Sequence, residues 1–390
     1  MPRVNASQSS PPAPARSWRW AVLAVVVAAQ AVFFYSRCDG DERRAQGTFG
    51  MPNPYLDGPS IQDRGMLGTR APAQPGDLVV SQGKALVAGL ATDGTRVYFG
   101  ESLLGQRILA VPVAGGAETT LGSGGMPLDV ALGKDVLVVA DAGGLMVDGQ
   151  GKITAFPLDG SGEPRVLASR LVLPSAVAVS ATHAYWIDGG TVERDYTDGF
   201  VARAPLAGGA HTVLAAGERA PSGLAVDATH VYWARQDVNK QGEVVRMPIG
   251  GGPIEVVSSG QDRVKRITIV GTNLYWISAK DLDGTRAAVR SAPIKGGPAL
   301  DVAVAESRMC SMAIDGEAVY WSDPGEIGGT GASTRGRILK KPLAGGEPTV
   351  LASGQDRPCY VAVDATHVYF STQSLERVKR TPKDSASASP

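Results

Sequence analysis

Catalysis and metal binding need side chains that ionise, coordinate or attack, and in this 390-residue chain they are sparse and regularly spaced. Of four histidines, three occupy one place in a recurring phrase: His183 in ATHAYW, His230 in ATHVYW and His367 in ATHVYF. Residues that return once per repeat sit on separate structural units, so these three are not expected to converge as metal ligands or as an acid–base pair. His211, beside a glycine turn, is expected to be peripheral. The chain has no HExxH, GxSxG or Walker signature. The acids Asp188, Asp237 and Asp323, with Glu193 and Asp195, fall in the irregular stretches between repeats. Three of them brought together would make a site for a divalent metal such as calcium. The run Asp281-Leu282-Asp283-Gly284 opens like a calcium loop but lacks the distal bidentate glutamate.

Basic residues form a second pattern. Arg263, Arg308 and Arg357 stand at the same place ahead of three successive repeats, and Lys265 and Arg266 lie beside the first of them. Such an arc suits a carboxylate, a phosphate or an acidic loop. Asp262 and Asp356, immediately adjacent, offer the opposite outcome of a self-neutralised network. Cys310 and Cys359 also share one repeat position, at equal heights on neighbouring units, which brings them close enough for a disulfide in an oxidising compartment. Two buried thiols are the alternative, and Cys38 is left over.

These positions acquire meaning from the elements that carry them. A small-apolar run, a short turn and an apolar-Tyr-aromatic strand recur as LATDGTRVYF, VAVSATHAYW, LAVDATHVYW, ITIVGTNLYW, MAIDGEAVYW and VAVDATHVYF, with a degenerate copy VALGKDVLVV after the first. The tyrosine position reads Tyr98, Leu137, Tyr185, Tyr232, Tyr275, Tyr320 and Tyr369, giving seven units. Each unit continues through a strand ending in Pro-apolar and a glycine turn, as in PVAGG, PLAGG and PIKGG, into one more strand. Alternating short strands with tight turns, at 49 glycines and 26 prolines, are an all-β composition. A repeat of about 45 residues carrying four strands is the signature of a β-propeller. The last unit lacks its fourth strand, and residues 78–81, which read like one, precede the first unit. The expectation is a seven-bladed ring over 78–382 closed by that N-terminal strand, with six blades as the alternative. An open ring would leave strand edges free to pair with other chains.

The Tyr-Trp strands, the preceding aspartate and the Pro-apolar-x-Gly-Gly turn resemble the YWTD repeats of low-density-lipoprotein receptors and, more closely, the bacterial TolB-like and NHL-like repeat propellers. The Thr-Asp of YWTD is absent, its place taken by Ile-Asp, Ala-Arg, Ile-Ser and Ser-Asp. The resemblance implies a protein that binds ligands or other proteins more often than it catalyses.

With strands lettered A to D from the axis outward, the B–C and D–A loops share one face. The B–C loops are long and dissimilar, while the A–B and C–D turns are short and repetitive, so the B–C/D–A face is the candidate for recognition. The formal net charge is zero, which argues against a nucleic-acid partner. Residues 1–17 are polar with Arg3 and Arg16 and no acid, and Trp18, Arg19 and Trp20 lead into the apolar run 21–35. That pattern is an export signal: a hydrophobic helix over 18–36 acting as a single-pass inner-membrane anchor, or a signal peptide cleaved near Ala31 to release the protein. Residues 37–77 read as a disordered Pro/Gly-rich tether and 383–390 as a disordered tail. The sequence therefore points to a periplasmic, membrane-tethered, non-catalytic scaffold, without a cofactor, for an envelope protein, peptide or glycan. The alternative is a metal-dependent lactonase or lyase.

Overall fold

The computed structural model describes residues 78–83, 86–102, 105–144, 149–236, 241–279, 286–305, 307–325, 335–372 and 378–384. The segments 1–17, 18–36 and 37–77, with Cys38, Asp237 and residues 281–284, lie outside them. Among the described residues no helix is long and apolar enough to cross a membrane.

The described strands form seven antiparallel sheets of four strands each. Successive blades take up residues 86–123, 127–171, 174–218, 222–261, 264–305, 312–355 and 361–382, and the strand Leu78–Ser81 completes the last sheet beside Val378–Pro382. The degenerate copy is a full blade, with strands Pro127–Leu132, Val136–Asp141, Gly151–Pro157 and Arg165–Leu171, so the six-blade alternative is excluded. Its register corrects the sequence count by one residue. Val138, not Leu137, occupies the tyrosine position, because Val138 pairs with Ala131 as Tyr98 pairs with Ala91. Leu137 points the other way and packs with Tyr98.

Adjacent residues of a strand face opposite sides of the sheet, and the Tyr-Trp pair exploits this. The first residue packs forward onto the next blade and the second packs back onto the preceding one. Trp186 sits with Val138 and Ile153 of blade 2, while its neighbour Tyr185 sits with Val231 and Trp233 of blade 4. Trp276 packs with Tyr232, and Trp321 with Tyr275. The four tryptophans Trp186, Trp233, Trp276 and Trp321 are fully buried. Blades 7 and 1 share a cluster of the same kind, in which Val80 joins Phe99, Val111, Tyr369 and Val378. Leu78 lies opposite Arg380 and Val79 opposite Lys379 in the pairing that covers the edge of the last strand.

In four blades the A–B turn is built on one carboxylate, and in blade 3 the Ser180 hydroxyl takes its place. Asp227 Oδ1 accepts the backbone N–H groups of Thr229 and His230 at 2.6 and 2.7 Å, and Oδ2 accepts the Tyr232 hydroxyl at 2.8 Å. Asp93 does the same for Thr95, Arg96 and Tyr98, Asp315 for Glu317, Ala318 and Tyr320, and Asp364 for Thr366, His367 and Tyr369. Burial pushes each of these carboxyls up, but the hydrogen bonds they accept outweigh it and hold them below the ordinary range. The tyrosines move the other way, raised first by burial and then by the carboxylate they touch. His183 and His367 in the same turns are held below the usual imidazole value, by burial and then by Arg203 and Arg380 respectively.

Two outcomes follow. Val80→Ala, which removes buried methyl groups between blades 7 and 1, should lower the unfolding free energy by roughly 2 kcal/mol, whereas Leu78→Ala, at the exposed start of the same strand, should change it by less than about 0.5 kcal/mol in denaturant titrations. Depressed histidines resist protonation in the native state, so stability should be complete above their ordinary value of 6.5 and decline as pH falls below it. A second decline should begin near 3.8 and continue as the four aspartates protonate in the folded protein. Denaturation curves across about pH 2 to 8 test both; Asp227→Asn, which removes one of the four carboxylates, should make the lower decline shallower.

Candidate functional site

In four of the seven blades the B–C loop leaves the sheet beside a charged pair on strands B and C. Asp141 lies opposite Lys152 at 3.7 Å, Asp323 opposite Arg337 at 2.5 Å, and Arg235 opposite Glu243 at 3.1 Å with the signs exchanged. In blade 1 Glu101 is held at 2.6 Å by Arg107. Opposite charges facing one another across an antiparallel pair stabilise the register at the point where the ladder ends. Each neck is therefore pinned, whatever the loop beyond it does.

Asp141 and its blade 3 counterpart Asp188 also organise the D–A loops. Asp188, 1% exposed, accepts the N–H groups of Val172, Leu173 and Gly190 at 2.9, 3.1 and 3.2 Å. Asp141 takes those of Gly125, Met126 and Gly143 at 2.6 to 2.7 Å. Asp323 accepts the N–H of Gly325 at 2.9 Å in addition to its arginine. A carboxylate that accepts three amides has few lone pairs left for a cation. Of the acids considered as metal ligands, Asp188 and Asp323 stand on blades 3 and 6 with these partners, and Asp237 lies outside the described residues. Among the described residues no three His, Cys, Asp or Glu side chains are placed to hold a metal ion. In blade 3 the loop tip is a turn of 3-10 helix, Val192–Arg194, followed by Asp195 and Tyr196 with φ of 52° and 54°. Glu193 and Arg194 on it are exposed. The histidines occupy separate A–B turns, each of His183, His230 and His367 bonded through Nδ1 to the preceding threonine hydroxyl.

The innermost strands line the axis. In one layer, the residue just before the one paired with the aromatic position, blades 1 to 7 present Gly89, Asp129, Ala176, Gly223, Arg266, Ser311 and Tyr360. Arg266 reaches further than its neighbours, across the axis. Its guanidinium crosses from blade 5 to blade 2, where Nη1 donates to Asp129 Oδ1 at 2.9 Å, and it lies over the Tyr360 ring of blade 7 at 5.3 Å. The cause is a β-bulge: the register slips between Lys265 and Ile267, and Arg266 adopts φ 46°, which turns it toward the axis. Arg263, Arg308 and Arg357 keep equivalent places at the start of blades 5, 6 and 7, and none of the three is without partners. Lys265 is half-buried opposite Ile277. Cys310 and Cys359 face each other at the same entrance with Cα atoms 5.0 Å apart and Sγ atoms within bonding distance. The Ser322 hydroxyl donates to the Cys359 carbonyl at 2.5 Å.

Sequence reasoning missed Asp129 because its blade carries the degenerate repeat. The one available signal is an acid in a layer otherwise filled mainly by small residues.

No family model and no curated protein matches the chain. Solved structures do. The tricorn protease superposes with a TM-score of 0.57 at 11% identity, over 81% of this chain and 34% of that one. The oligogalacturonate lyase of Vibrio parahaemolyticus gives 0.57 at 10% identity, over 79% of this chain and 92% of the lyase. The chain is a seven-bladed β-propeller. A putative TolB from Agrobacterium tumefaciens matches over 58% of the propeller chain and 83% of its own, with a TM-score of 0.45 at 15% identity. At these identities the likeness is one of fold alone.

If Asp188 serves the D–A loop, Asp188→Ala should destabilise the propeller by roughly 2 to 4 kcal/mol by orphaning buried amides. The thermal midpoints of the parent and the variant should each be the same in EDTA and in calcium. A drop in the parent's midpoint on chelation would assign Asp188 to a cation instead.

Proposed function

We propose that this chain is an exported, membrane-tethered propeller that binds a protein, peptide or glycan on its B–C/D–A face and is not itself a catalyst. The observation that carries the reading is the commitment of the face's acids and bases to its own shape. Asp141, Asp188, Asp323, Arg235 and Arg337 hold loop necks and loop amides in place, so the face is a rigid platform for dissimilar loop tips. Interfaces built this way lose little conformational entropy on association. The apolar run 21–35 with its flanking arginines supports a membrane anchor, and 37–77 supports a tether that holds the disc off the bilayer. In this reading the strand 78–81 closes the ring and a Cys310–Cys359 bridge secures the neighbouring blades, as befits an oxidising compartment.

The test is site-specific photo-crosslinking of the full chain in its native envelope. A photoreactive residue at Glu193, on the loop face, should give a discrete adduct, whereas one at Lys134, on an A–B turn of the other face, should not. Equal labelling from both positions, or none from Glu193, counts against the loop face. Alkylation of the denatured, unreduced chain should leave Cys310 and Cys359 unmodified until a reductant is added; labelling before reduction removes the bridge.

A further inference from the structure

Arg266 occupies a backbone position that suits glycine. At the equivalent bulges of blades 1 and 4 the chain has Gly89 with φ 69° and Gly223 with φ 54°, and Arg266 adopts φ 46°. A side chain in this region strains the backbone, so retaining an arginine here calls for a return from the guanidinium. Its contacts are uneven. Arginine carries five N–H donors, and among the described residues one of them, at Nη1, has a hydrogen-bond acceptor. The Tyr360 ring covers the face of the group, and hydrogen bonds form at its edge. The side chain keeps 34% of its surface accessible.

Asp129 is fixed from two sides, by Arg266 on Oδ1 and by the Val177 N–H on Oδ2 at 3.2 Å. It anchors the guanidinium but balances only one charge. Arg263 and Lys265 precede Arg266 on the same strand, and Arg308 and Arg357 begin the next two blades, against Asp262 and Asp356 at the outer edge.

We propose that the open edge of Arg266 is an anion subsite at the channel mouth and that it takes a single carboxylate. A monoanion fits better than phosphate, because Arg266 and Asp129 already form a neutral pair, so a second ligand charge gains little net attraction and costs more desolvation. The subsite lies within the proposed binding face and rests on that reading for its biological ligand, but it can be tested without the partner.

The probe is N-acetylglycine, titrated at constant ionic strength into the full chain by calorimetry and thermal denaturation, with N-acetylglycinamide as the neutral control and inorganic phosphate as the dianion. N-acetylglycine should raise the thermal midpoint saturably, the amide should not, and phosphate should be weaker. Asp129→Asn removes the competing charge and should tighten binding about tenfold. Arg266→Gly, which places at this bulge the residue that blades 1 and 4 already use, should remain folded and lose the saturable response. Saturation retained in Arg266→Gly, or its absence in both the parent and Asp129→Asn, would reduce the ion pair to a brace across the ring. Phosphate binding more tightly than N-acetylglycine would overturn the assignment to a carboxylate. None of these results bears on adducts at Glu193, so failure of the subsite and failure of the binding face are separable.

Discussion

No blade of this protein has a core of its own. A four-stranded sheet has two faces, and both must be covered; here the covering is done by the neighbours, through a pair of adjacent residues that point in opposite directions. Trp186 leans back onto blade 2 while Tyr185 leans forward onto blade 4, and the next blade repeats the arrangement with Trp233 and Tyr232. The stability of any blade is thus a property of its contacts, and a cavity opened beneath one tryptophan is felt in two sheets at once. Everything else in the fold serves to present these two side chains at the correct height.

The two faces of the disc use carboxylates differently. On the A–B side the aspartate serves its own hairpin, accepting two amides and the hydroxyl of the tyrosine five residues on, so the turn and the blade-packing residue are locked by one group. On the other side Asp141 and Asp188 collect amides from the segment that arrives from the preceding blade. The first arrangement is local and can be copied from repeat to repeat. The second stitches blade to blade and leaves the loop tips to vary, a division of labour that gives one face regularity and the other diversity.

Much of this was legible from spacing. A strict phrase length places Cys310 beside Cys359 and distributes His183, His230 and His367 around the ring, because equivalent repeat positions become equivalent heights. The Asp-to-Tyr hydrogen bond was visible in principle as a constant five-residue interval, but a tyrosine that must be packed masks the role of its hydroxyl. Two features were not legible. The degenerate second blade has neither the Asp nor the Tyr, so its register was misplaced by one residue at Leu137, and only the pairing of Val138 with Ala131 fixes it. The reach of Arg266 to Asp129 joins residues on non-adjacent blades, and periodicity assigns residues to blades without saying which side chains span the axis. A one-residue bulge decided that, and bulges leave little trace in a sequence.

The pairing of Leu78 with Arg380 has a temporal side. These residues come from opposite ends of the propeller sequence, so the strand made first waits beside an unfinished array until the strand made last is available. Closing so long a loop adds only a logarithmic entropy term, so the completed contact is thermodynamically accessible. Its kinetics are another matter, since contacts between distant parts of a chain form late and leave apolar surface and strand edges uncovered meanwhile. Six blades can assemble in order as the chain is made, while the seventh remains open until the C-terminal strand is available. That interval is when chaperones and proteases have their best access to the molecule.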